Sequence, residues 1–62
     1  MKITREVAAC AVKGTYEALC DAAGKKLKIT LGLCHSVANL IYNRLGMSVT
    51  TLFCEEVLLS DK

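Results

Sequence analysis

The sequence predicts a mostly α chain in one small domain. An N-terminal helical region fills residues 1–24, and a strand–helix–helix unit fills residues 25–62. Three observations lead there. Helical periodicity runs from Arg5 to Ala23, between a capping Thr4 and a stopping Gly24. Polar and apolar residues then alternate with period two over Lys26-Leu27-Lys28-Ile29-Thr30-Leu31, the pattern of a half-buried strand. Two further helical patterns meet at Leu45-Gly46-Met47-Ser48, where Gly46 suits a helix C′ position and Ser48 the next N-cap.

The first helix is amphipathic but built from small residues. On a 3.6-residue wheel Val7, Ala8, Ala11, Val12, Thr15, Ala18, Leu19 and Ala22 share one broad face, with Gly14 at its edge. Glu6, Cys10, Lys13, Glu17, Cys20 and Asp21 lie opposite. Alanines let another helix come close and bury little area each, so this helix reads as a cover or a docking surface. Cys10 and Cys20 fall on its polar side, with no activating base beside them in sequence.

Two readings compete for the next segment. Residues 24–28 hold no good N-cap before Thr30, and a helix starting at Lys25 would put Lys25, Lys26 and Lys28 at its positive end. Both points favour a strand, with Leu27, Ile29 and Leu31 on one side and Lys26, Lys28 and Thr30 on the other. Against this, Leu27, Leu31, Cys34, Ala38, Ile41 and Leu45 follow a heptad spacing, the seam of one long helix. The helix from Leu33 to Leu45 is plain: Leu33, Val37, Leu40, Ile41 and Leu45 face one way, and His35, Ser36, Asn39 and Asn43 the other. From Val49 to Leu59 the pattern is apolar nearly all round, broken by Glu55 and Glu56, so that helix calls for burial on several sides.

Composition narrows the function. The chain has 62 residues, is 53% hydrophobic and lacks Pro and Trp, which is too apolar for a disordered chain. So small a monomer buries a limited share of its surface, and the surplus of apolar positions calls for a partner, most simply a second copy. The net charge is +2, with a basic cluster at Lys25, Lys26 and Lys28 and an acidic group at Glu55, Glu56 and Asp61. The first segment lacks an uninterrupted apolar core of a signal peptide, and residues 29–43 are too few and too polar to span a bilayer, so a cytoplasmic location is expected. Cysteines at 10, 20, 34 and 54 form no C-x-x-C pair, so the expectation is reduced, structurally passive thiols and no metal or cofactor. One His, no paired carboxylates and no glycine-rich phosphate loop argue against an enzyme.

The order strand, helix, tight turn, helix, ending in the G-x-S-x-T-x-L-F run of Gly46 to Phe53, resembles the ribbon-helix-helix family of Arc- and MetJ-type repressors. The resemblance covers about half the chain and implies an intertwined homodimer that binds double-stranded DNA as a transcription regulator. Two strands would pair into a ribbon in the major groove, with Lys26, Lys28 and Thr30 reading bases. Lys25 and the backbone at Ser48, at the start of the last helix, would hold phosphates. Leu27, Ile29, Leu31, Val37, Ile41, Leu52, Phe53 and Val57 would form the dimer core. The same turn also looks like that of a helix-turn-helix, but a recognition helix offering Cys54, Glu55 and Glu56 lacks donors for DNA. The alternative is an all-α three-helix chain in a homo-oligomeric bundle that binds another protein, as a phage-type inhibitor or adaptor does. The state of residues 26–31, paired strand or helix, separates the two.

Overall fold

Threonines and glycines punctuate the chain in the computed structural model, which describes residues 4–60. Helix α1 spans Arg5–Ala23, α2 Leu31–Leu45 and α3 Thr51–Ser60. Each begins behind a threonine whose Oγ1 accepts a backbone N–H three residues on: Val7 N to Thr4 at 3.2 Å, Leu33 N to Thr30 at 3.1 Å, Phe53 N to Thr50 at 3.0 Å. Such a cap satisfies a donor that the helix leaves unpaired, and contributes about 1 kcal/mol. The first two helices end at glycines in the left-handed region, Gly24 at φ 72° and Gly46 at φ 66°. The Gly46 N–H closes the turn onto the Tyr42 carbonyl at 2.9 Å.

The three helices pack pairwise around one core of Ala8, Val12, Cys34, Val37, Ile41, Met47, Cys54, Val57 and Leu58. Ile41, Val12, Val37, Cys34 and Cys54 are its largest fully buried side chains. Leu19, Ile29, Leu33 and Phe53 border it without being enclosed. The radius of gyration, 10.8 Å, is close to the roughly 10.6 Å expected for a compact chain of this length. The core is thus closed, but it is built from few and mostly small side chains.

The strand at Lys26–Leu31, and the ribbon-helix-helix fold with it, is not what forms: no strand occurs among the described residues. The alternation was a pattern of burial without a sheet. Leu27 and Ile29 turn half-inward, and Lys26, Lys28 and Thr30 stay exposed. A strand needs a partner for its backbone groups, and no other described segment pairs with this one. Side chains of α1 serve Leu27 instead. The Tyr16 hydroxyl donates to its carbonyl, and its N–H donates to Cys20 Sγ at 3.4 Å. Tyr16 and Cys20 stand one turn apart, so residues 25–30 form a connector tethered to α1. The long helix implied by the heptad seam does not form either, because Thr30 starts α2 and Leu31 is its first residue.

Two boundaries also move. The last helix starts behind Thr50, two residues later than the Ser48 cap and Val49 start expected, and Met47 of the turn is buried. On α1 the core is met by Ala8 and Val12 with Ala9, Ala11, Tyr16 and Leu19, whereas Val7 is 45% exposed and Ala18 and Ala22 are exposed. Asp61, counted with the C-terminal acidic group, lies outside the described residues.

Candidate interaction surface

The residues expected to touch DNA are scattered through the connector and the turn. Lys25, Lys26 and Lys28 are exposed. Thr30 is exposed too, but its Oγ1 is engaged in capping α2, which removes an acceptor from any outward role. Ser48 is exposed within residues 46–50 and is not at the N-terminus of α3, whose first turn is capped by Thr50.

The residues expected to form a dimer core divide into three groups. Val37, Ile41 and Val57 are buried within the chain's own core. Leu27, Ile29 and Phe53 are half-buried. Phe53 carries the Arg5 guanidinium over its ring at 5.1 Å, and Arg5 also reaches Glu56 at 3.5 Å. That ion pair is exposed on both sides, so it adds well under about 1 kcal/mol. Leu31, 61% exposed, and Leu52, 68% exposed, stay mostly outside the core.

Apolar exposure is the main feature of the surface. Val7, Leu31, Tyr42, Leu45, Leu52 and Leu59 are all at least 45% exposed. Leu52 and Leu59 lie seven residues apart on α3, on the side opposite its buried Cys54, Val57 and Leu58. They form a ridge that points away from both other helices. Between α1 and α2 lies a groove of about 260 Å³, floored by Ala11, Gly14 and Ala18 and walled by Leu40 and Leu45, with Arg44 on its rim. The seven-residue spacing of Leu52 and Leu59 is visible in the sequence. The groove is less legible, since it needs the packing of α1 on α2.

The other clefts offer little chemistry. One, of about 480 Å³ between α1 and α3, is lined by Arg5, Lys13, Glu56 and Ser60 among others, and the Ser60 hydroxyl donates to the Val57 carbonyl. A shallower one brings His35, Asn39 and Tyr42 beside Ser48, Thr50 and Thr51.

The thiols divide by environment. Cys10 is exposed, and Cys20 is half-buried in its contact with Leu27. Cys34 and Cys54 are buried and free. Burial raises the pKa of the Cys34 thiol above its usual value, and the nearby Glu55 charge adds to this. Burial and then the neighbouring Cys34 raise that of Cys54. Raised pKa values keep both as neutral, weakly reactive thiols. Tyr16 is raised as well, chiefly by its hydrogen bond with Cys20. No cluster of three or more His, Cys, Asp or Glu suited to a metal occurs among the described residues, and no described helix is long and apolar enough to cross a membrane.

Comparison with family models, with curated proteins and with solved structures finds no match to this chain.

Proposed function

We propose that this chain is a small helical protein-interaction module that acts by docking on protein, in the first place on a second copy of itself. The observation that carries the reading is the set of large apolar side chains left outside a closed core: Leu31, Tyr42, Leu45, Leu52 and Leu59 are each at least half exposed. Covering a leucine fully is worth about 1.5–3 kcal/mol, so these positions hold binding energy that the fold itself does not use. The two clefts described above, among the described residues, support catalysis poorly, because neither joins a nucleophile to a base in a dry site.

Sedimentation equilibrium at micromolar to millimolar concentration tests the reading. The expected mass rises above the 6.7 kDa of one chain. A folded chain that stays monomeric across that range sinks it.

A DNA-binding regulator is the second reading, and the three exposed lysines of the connector favour it. It has lost the paired ribbon that gave those lysines a geometry for reading bases. Selection from random duplex DNA at low salt separates the readings: protein docking expects no enriched sequence, and an enriched inverted repeat that Lys28→Ala abolishes would favour DNA.

A further inference from the structure

The α3 ridge and the α1/α2 groove match each other in spacing, shape and charge. Leu52 and Leu59 are seven residues apart, about 10.5 Å along the helix at 1.5 Å per residue. The groove floor repeats that length, since Ala11 and Ala18 are also seven apart, with Gly14 between them. A Cβ built on Gly14 meets nothing within 4 Å, so the floor is open at its centre. Leucine knobs fit holes left by alanine and glycine in the manner of helices packed knobs-into-holes. Arg44 stands on the groove rim, and Glu55 and Glu56 flank the ridge, Glu56 within 3.5 Å of Arg5 of its own chain. The opposite charges favour an α3 helix as occupant over a second α1/α2 face.

We infer that the groove between α1 and α2 is the docking site for α3 of another copy, so that the chain assembles head to tail. This deepens the reading of the chain as a self-docking module and rests on it. Ridge and groove lie on different faces, because the groove lining includes no residue of α3. One copy therefore offers its ridge to one neighbour and its groove to another. Such a contact is heterologous and runs on past two copies, into a ring or an open chain.

Two variants at exposed positions test the inference. Gly14→Gln fills the groove with a better helix former than glycine, so the fold keeps or gains stability. Leu52→Gln with Leu59→Gln removes the ridge. From the exposed fractions of 68% and 50%, that change weakens each contact by about 20- to 400-fold. Wild type is expected to grow past the mass of two chains as concentration rises, and each variant to sediment as a monomer. An equal mixture of the two variants restores one intact ridge and one intact groove. It should form a heterodimer that stops at two chains.

Wild-type association that both variants leave unchanged, a mixture that stays monomeric, or a wild type that stops at two chains overturns the head-to-tail contact and leaves self-association standing. A monomeric wild type overturns both. Circular dichroism checks the fold of each variant. Should either lose helix, Ala18→Gln fills the same groove, and Leu59→Gln alone weakens the same ridge.

Discussion

Ile41→Ala and Leu45→Ala, one helical turn apart on α2, should differ severalfold in their cost. Ile41 is 1% exposed and meets α1 and α3 residues in the core, whereas Leu45 is 60% exposed. Truncating a fully buried Ile to Ala removes its transfer free energy and leaves a cavity, together about 2–5 kcal/mol. Leu45 has about two fifths of its surface covered, so its truncation forgoes roughly 0.6–1.2 kcal/mol and opens no cavity. A core this small supplies a total stability on the order of 3–5 kcal/mol. The two ranges decide the outcome. Ile41→Ala takes most or all of the stability and leaves a largely unfolded chain at 25 °C, while Leu45→Ala stays folded. Ile41→Val, at about 0.5–1.5 kcal/mol, keeps the first site measurable. Urea titration followed by far-ultraviolet circular dichroism, at one fixed low-micromolar concentration, gives all three midpoints and separates fold from association. Equal losses at Ile41 and Leu45 would mean that α2 turns a different face to its neighbours, and the core described above would be wrong.

Further outcomes follow from the caps, the connector and the thiols. Thr30→Ala and Thr50→Ala should each cost about 1 kcal/mol in the same titration, and Ser48→Ala close to nothing, because Thr50 caps α3 and Ser48 does not. Tyr16→Phe and Cys20→Ala should raise amide exchange at Leu27 and its neighbours, while Cys10→Ser leaves exchange and stability unchanged; unaltered exchange in both connector variants would refute the tether. Stability should fall in alkali. Burial raises the Cys34 and Cys54 pKa values above the usual 9.0, so the unfolded chain releases those protons first. Their contribution is then whole below about pH 9 and is lost as pH climbs toward the raised values, by at most about 1.4 kcal/mol per pH unit for each thiol. Cys34→Ala should halve that slope, and a flat profile between pH 8 and 10.5 in the wild type would show that the thiols ionise freely when folded.

What could be read from the sequence depended on whether the signal was local. Thr4, Gly24 and Gly46 mark helix ends by their own backbone and side-chain chemistry, and all three do so here. The face of α1 was harder, because alanine is small enough to sit inside or outside at little difference in energy. Ala8, Ala11, Ala18 and Ala22 share one face of the wheel, yet only Ala8 is buried and Ala18 and Ala22 are exposed, so the wheel does not say which edge of that face the other helices cover, and Tyr16 and Ala9 join the core side in place of Val7. The connector failed for another reason. Period-two burial is necessary for a half-buried strand but is equally produced by any extended segment lying on a helix. What tells them apart is the partner for the backbone groups, and that partner is non-local. At Leu27 it is Tyr16 and Cys20, 11 and 7 residues earlier in the chain. Once those two side chains occupy the Leu27 N–H and C=O, the same edge is less available to a strand from another copy. The tether on α1 therefore argues against a two-chain ribbon at this segment and moves the search for a partner surface to Leu52, Leu59 and the groove beneath Leu45.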